Sequence, residues 1–305
     1  MPILNTHFAQ LDLLRYPEQN NSPLQAFDAA DEYLLKHLGG CTLPANPRTL
    51  VLNDSFGALA ASLCTQMTVH SSGDSFLAHQ GLRNNLKRNQ LDENSVHIIK
   101  SNQPLAGPYD CVLICIPKTL ALLEEQLIRL QSHITTHTLI VAAAMVKHLP
   151  RSAGDLLERY LGPVQASLAE KKARLLFVTP TQITQAQSPY PSVYSLEQPQ
   201  LSLRNHAGVF CREALDIGTR FLLPHLPKNL GDARVADLGC GNGVLGLVCA
   251  IHNPHAQLVL VDESYMAVQS AQENWQHALS EREVTLYAGD GLGAEPANSL
   301  DVVLC

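Results

Sequence analysis

Residues 235–243 read V-A-D-L-G-C-G-N-G, and no other run restricts the fold of this chain as tightly. An apolar strand ends in an acid, Asp237, and glycines then fall at every second position, Gly239, Gly241 and Gly243. A stretch with amphipathic helical spacing follows over 244–251. Strand, glycine turn and helix start in one line describe the opening of a βαβ unit. Glycine has no Cβ and accepts positive φ, so a ligand can approach the backbone there. The helix N-terminus adds unpaired N–H groups for an anionic group. Cys240 and Asn242, between the glycines, belong to the same candidate ligand turn. Asp237 is expected to hold a cationic amine. A carboxylate and an ammonium on one carbon would meet both demands.

S-adenosyl-L-methionine is such a ligand, and the D-x-G-x-G pattern resembles motif I of class I S-adenosylmethionine methyltransferases. A dinucleotide reading competes. Gly241, Gly243 and Gly246 match G-x-G-x-x-G, with Asp262 about 20 residues on. In that fold the first glycine directly follows the strand. Here Asp237-Leu238-Gly239 intervenes, which favours the methyl donor. Asp262 ends the next predicted strand and is expected to accept from both ribose hydroxyls. Glu263 should point to the other side of that strand end. Asp290 follows the third strand, where a carboxylate could accept from an adenine amine. Upstream, a helix is expected from about Arg212 onward, with Phe210 and Asp216 able to reach the cofactor. On physical grounds alone Phe210 reads as a core residue.

The second half runs strand (235–238), helix, strand (258–262), helix (266–279), strand (284–288) and strand (301–305). Such alternation argues a parallel sheet covered on both faces. The first half repeats the order: strand 49–52, helix from Ala58, strand near 67–69, helix 76–88, strand 96–100 and strand 111–116. L-N-D-S-F-G-A-L (52–59) sits against L-G-C-G-N-G-V-L (238–245), and D-S-F-L-A-H-Q (74–80) against E-S-Y-M-A-V-Q (263–269). V-H-I-I-K-S-N (96–102) sits against V-T-L-Y-A-G-D (284–290), and D-C-V-L-I (110–114) against D-V-V-L-C (301–305). We infer an internal duplication. The expected fold is therefore α/β, with tandem Rossmann-like class I methyltransferase domains. Asp237 is matched by Val51, Gly239 by Asn53, Gly241 by Ser55 and Asp262 by Gly73. Residues 1–180 thus read as a degenerate copy serving substrate recognition, and 205–305 as the cofactor-binding copy. Residues 181–204, rich in Gln, Ser and Pro, read as a linker.

The net charge of −7 argues weakly against nucleic acid as partner, but its distribution matters more. Residues 1–180 carry 15 basic and 15 acidic side chains; the rest carry 6 and 13. The first half also holds local basic clusters, Arg83, Lys87 and Arg88 at helical spacing, and Lys171, Lys172 and Arg174. Each reads either as a solvated face or as phosphate contacts. No run approaches 18 apolar residues, and no signal peptide is visible, so no membrane association is expected. The eight cysteines are scattered without a C-x-x-C, which fits reduced thiols in the cytoplasm and no metal site. A monomer is expected.

Further segments carry a wider resemblance: P-L-Q-A-F-D-A-A-D-E-Y-L-L (23–35), P-K-T-L-A-L-L-E-x-Q-L (117–127), K-K-A-R-L (171–175), L-D-I-G (215–218) and V-D-E-S (261–264). With the two glycine-turn segments they resemble, end to end, the ribosomal RNA guanine-N2-methyltransferases of the RsmC/RlmG type. The resemblance implies a tandem methyltransferase fold with S-adenosyl-L-methionine in the C-terminal copy. It implies large-subunit (23S) ribosomal RNA as substrate, methylated at a guanine exocyclic amine. It also implies that Phe210 and Asp216 belong to the cofactor side. The family's catalytic N-P-P-F follows the fourth strand, so it is expected just after Cys305. The first copy, by comparison, continues for about 60 residues beyond C-I-P-K (115–118). The sequence therefore reads as a C-terminally truncated version of a protein of roughly 370 residues, with doubtful activity of its own. The amine is a poor nucleophile, and an Asn and a Pro carbonyl in that motif would aim it at the methyl by orientation and electrostatics. Methylation of a protein glutamine or a small molecule, and a non-catalytic RNA-binding scaffold, are the alternatives.

Overall fold

The structure, a computed structural model, describes residues 3–18, 24–181 and 185–305. It divides into two compact units: Met1–Gly73 with Leu77–Ser188, and Asp74–Phe76 with Pro189–Cys305.

The first unit opens with a hairpin, β1 (Ile3–Asn5) and β2 (Gln10–Asp12), and helix α1 (Ala29–Leu38). An alternating run follows: β3 (Arg48–Leu52), α2 (Ala58–Leu63), β4 (Thr68–Gly73), α3 (Phe76–Arg88), β5 (Val96–Lys100) and β6 (Cys111–Cys115). It continues through α4 (Leu120–Leu130), β7 (Leu139–Met145), α5 (Arg151–Tyr160), β8 (Val164–Ala166) and β9 (Ala173–Val178). The seven-stranded sheet has the order β5-β4-β3-β6-β7-β9-β8, with β9 antiparallel to both neighbours. Its central strands, β3 and β6, are buried on both faces. Val51, Cys111 and Leu113 face one apolar cluster, and Leu50, Leu52, Val112 and Ile114 face the other. That is the period-two alternation of a strand covered by helices on each side.

The second unit contains β10 (Ser192–Leu196), β11 (Leu201–Asn205), α6 (Ile217–Leu222), β12 (Arg234–Leu238) and α7 (Val244–His252). β13 (Gln257–Asp262), α8 (Tyr265–Ala278), β14 (Thr285–Ala288) and β15 (Val302–Leu304) follow. β12 to β15 form a four-stranded parallel sheet in the order β14-β13-β12-β15, which repeats β5-β4-β3-β6. The duplication reaches single hydrogen bonds. In the first unit Arg48 N donates to the Asp110 carboxylate at 2.8 Å and Asp110 N to Arg48 O at 2.9 Å. In the second, Arg234 N and Asp301 make the same pair at 2.8 and 2.9 Å.

Two expectations need correction. Within 181–204, residues 182–184 lie outside the described residues, but 192–205 is not a linker: β10 and β11 form an antiparallel hairpin. Tyr194 pairs with Leu203 and Leu196 with Leu201, so four apolar side chains share one face and join the second unit's core. That burial offsets a composition that disfavours regular structure. The helix expected from about Arg212 begins only at Ile217. The Asp216 carboxylate accepts from Gly218 N at 2.8 Å and Thr219 N at 3.1 Å, and this N-cap sets the start.

Candidate functional site

The glycine turn lies where the strand order of the second unit reverses, at the carboxyl end of β12 between β13 and β15. Crevices of α/β sheets bind ligands at such points. Gly239, Gly241 and Gly243 all adopt positive φ, +74°, +53° and +82°. Gly243 packs its backbone against α8, and a Cβ there would stand 2.9 Å from the Ala271 Cβ. At Gly239 and Gly241 nothing lies within 4 Å of where a Cβ would be, so this stretch of backbone faces open space.

That space is a cleft of about 290 Å³. Gly239, Cys240, Gly241 and Asn242 form one wall, with Val244 and Leu245 of α7. Asp262, Glu263 and Ser264 come from the end of β13, Tyr194 from the hairpin, and Phe210, Leu215, Asp216 and Thr219 from the segment before β12. Asp262 bridges two walls: one oxygen accepts from Gly241 N and the other from Ser264 N, each at 2.9 Å. Each carboxylate oxygen has a second lone pair for a ligand hydroxyl. Glu263 lines the same cleft while its Oε2 accepts from the Ser75 hydroxyl at 2.6 Å. The Cys240 thiol is buried, and burial holds it well above the usual thiol range, so it is no nucleophile.

The structure departs from the sequence expectations at three residues. Asp237 does not face the cleft. It is 1 % exposed, and its Oδ2 accepts from Gly246 N at 2.7 Å inside α7. Burial pushes its carboxyl up to about 7, against the pull of that N–H. It braces the turn from behind. Asp290 follows β14 as expected, but it is exposed and does not line the cleft. Phe210, read as a core residue, is 80 % exposed at the cleft mouth. It precedes turns rather than a helix, so no apolar face gathers it in.

Tyr194 escaped the sequence reading because it sits in the presumed linker. The alternating S-V-Y-S-L and L-S-L-R-N was the signal available. Beneath the glycine turn lies a buried amide cluster that was also missed. Asn242 Nδ2 donates to the Asn205 Oδ1 at 2.8 Å and to the Tyr194 hydroxyl at 2.9 Å. Asn274 Nδ2 donates to Asn242 O and Arg204 O, and its Oδ1 accepts from Arg204 N.

The chain matches two family models, the RLMG N-terminal domain over residues 1–182 and the methyltransferase small domain over 200–305. Ribosomal RNA large subunit methyltransferase G of Pseudomonas fluorescens (strain Pf0-1) is 66 % identical over all 305 residues, which span 82 % of that relative. The protein of the same name from Stutzerimonas stutzeri (strain A1501) is 63 % identical over the whole chain and 81 % of its own length. The chain belongs to the ribosomal RNA large subunit methyltransferase G family. A solved structure, the T. thermophilus 16S rRNA N2 G1207 methyltransferase (RsmC) in complex with AdoMet and guanosine, shares the fold. Its TM-score is 0.74 at 19 % identity, over 97 % of this chain and 76 % of that one.

In this methyltransferase G family member the expected basic clusters are only partly free. Arg88 pairs with Asp12 and Lys171 with Glu32, each at 2.9 Å. The Arg174 Nε is buried without a hydrogen-bond partner. Arg83, Lys87 and Lys172 form no ion pair among the described residues, and Lys87 and Lys172 are exposed. A larger cavity of about 480 Å³ in the first unit includes Tyr33, Lys36, Glu170 and Lys171. The pairs Lys36–Glu170 and Lys171–Glu32 neutralise its walls, and it has no glycine turn. Among the described residues no group of acids, histidines and cysteines could hold a metal ion, and no helix is long and apolar enough to cross a membrane.

Proposed function

We propose that the chain transfers the methyl group of S-adenosyl-L-methionine to the N2 amine of a guanine in large-subunit ribosomal RNA. The observation that carries this reading is the open glycine turn at the strand-order reversal, in a chain so similar to relatives of that name. The residues present fit the methyl donor. The exposed backbone of Gly239 and Gly241 allows close approach of a ligand. Val244 N and Gly246 N at the start of α7 are taken by Asn242 Oδ1 and Asp237 Oδ2, and Asp262 retains lone pairs for ribose hydroxyls. Asp216 and Phe210 flank the mouth.

The bound cofactor supplies an electrophilic methyl on a sulfonium centre. The chain's part is to bind and orient it, because in-line transfer depends on alignment. The first unit supports a substrate-side role by what it has lost. In it Asp54, which replaces Cys240, folds its carboxylate back onto Gly57 N, Leu59 N and Ala60 N at 3.1, 3.1 and 2.8 Å. The helix start that would receive an anion is thus occupied from within. Arg83, Lys87 and Lys172 are the cations we assign to RNA phosphates.

The test uses the purified protein, methyl-labelled cofactor, protein-free 23S and 16S RNA, and total protein as acceptors. Label recovered as N2-methylguanosine from 23S RNA is the expected result. Label confined to protein or to 16S RNA sinks the proposal.

A further inference from the structure

The orientation of three amides determines where the Tyr194 hydroxyl proton can go. Asn205 donates its own Nδ2 to Leu203 O at 2.9 Å, so its Oδ1 is left as the acceptor facing Asn242. Asn242 must therefore present Nδ2 on that side. Its Oδ1, on the other, accepts from Val244 N at 3.2 Å. The two Nδ2 protons of Asn242 go to Asn205 and to Tyr194. An amide nitrogen cannot accept. Tyr194 is consequently the acceptor in its bond to Asn242, and its own proton points elsewhere. Among the described residues it is donated to no protein acceptor. A half-buried hydroxyl on a cleft wall, held at the oxygen and with its proton unspent, is a donor awaiting a ligand.

We propose that Tyr194 donates this proton to the carboxylate of the methyl donor's amino-acid end, making the β10–β11 hairpin part of the cofactor site. The inference rests on the methyl-donor reading of the cleft. That carboxylate is the ligand's only anionic group, and a charge-assisted bond is the strongest use of a neutral donor. Burial raises the Tyr194 hydroxyl above its ordinary value, so it stays protonated and able to donate at neutral pH. Asp262 and Glu263 would repel a carboxylate and suit the ribose instead, while the charge of Asp216, which also reaches the Tyr194 hydroxyl, is offset by the Gly218 and Thr219 N–H groups that it caps. Tyr194 stands on Asn242, on the turn that leads into α7, so its hydroxyl is held beside the open backbone of Gly239 and Gly241.

Calorimetric titration of the chain and its Tyr194→Phe variant tests this, with two probes. S-adenosylhomocysteine carries the amino-acid end; 5′-methylthioadenosine lacks it. We expect the variant to bind S-adenosylhomocysteine about 10- to 100-fold more weakly, the range of a hydrogen bond to a charged group. Its affinity for methylthioadenosine should stay within about two-fold, well inside the tenfold that separates a real contact. Equal weakening of both probes would make Tyr194 a prop for the glycine turn and overturn the proposal. Unchanged affinity for S-adenosylhomocysteine would also overturn it. Failure of the parent chain to bind either probe is a different result and rejects the methyl-donor reading itself. An unchanged unfolding midpoint for Tyr194→Phe shows that the comparison is made between folded proteins.

Discussion

Two glycines of the same motif have different physical duties. Gly243 has φ +82° and backs onto Ala271, so Gly243→Ala adds left-handed strain to a clash with the Ala271 Cβ, which cannot swing away. We expect about 2–4 kcal/mol of lost stability in urea unfolding, strain and overpacking together. Gly241→Ala meets no protein atom and should cost about 1 kcal/mol, while its methyl intrudes on the open backbone and weakens S-adenosylhomocysteine binding more than ten-fold. Asp237 allows a pH prediction. Its carboxyl is raised to about 7 in the folded chain, far above an unfolded aspartate. The folded state therefore holds a proton that the unfolded chain has released. Its contribution to stability is full below about pH 4 and is lost as pH rises towards 7. Asp237→Asn should flatten the fall of unfolding free energy between about pH 5 and 7. An unchanged slope would show that Asp237 ionises without cost. The D-x-G-x-G spacing was legible in the sequence, but the direction of the Asp237 side chain was not. A strand residue can point to either face, and only α7 lying over this one settled it.

At the scale of elements, the hairpin 192–205 is joined to the glycine turn by Asn274 as well as by its own apolar face. Asn274→Ala would leave Arg204 N, Arg204 O and Asn242 O without their side-chain partner. We expect faster amide hydrogen exchange in 192–205 and 239–243, with β12 and β13 unaffected, at a cost of about 2–3 kcal/mol for one buried and two part-buried backbone groups left without their partner. Exchange that rises evenly over the whole unit would show that hairpin and turn are not one local structure. The central strands and helices were readable because continuous apolar runs and 3.6-residue spacing carry them. The hairpin was not, because Glu197, Gln198, Pro199 and Gln200 make up its turn and hid two short alternating strands. The short α6 was misplaced because its start depends on the Asp216 cap rather than on apolar periodicity.

For the molecule as a whole, the duplication leads to a stoichiometry. The second unit leaves its turn open, whereas the first has filled its own with Asp54 and with a reciprocal Asn53–Gln126 amide pair at 2.8 and 2.9 Å. Asn53 keeps the left-handed conformation of Gly239, with φ +62°, and Gly57 that of Gly243, with φ +86°. The two turns thus share their backbone conformation and differ in their side chains. Calorimetry should therefore find one S-adenosylhomocysteine per chain. Two sites of comparable affinity would refute the division of labour. At a hundred-fold excess over Kd the ligand should stabilise the chain by about 2.7 kcal/mol.

The sequence by itself determined the α/β class, the duplication, the register of the two copies and the open glycine turn. All four are written in local patterns: alternation, helical spacing and residues that alone accept positive φ. Tertiary structure decided which polar groups face the cleft. It withdrew Asp237 and Asp290 from the cleft, exposed Phe210, paired Arg88 and Lys171 with acids, and brought Tyr194 from an unpromising segment to the cleft wall. Those outcomes depend on which element lies over which strand end. A side chain's neighbours across space are chosen by packing and not by its neighbours along the chain.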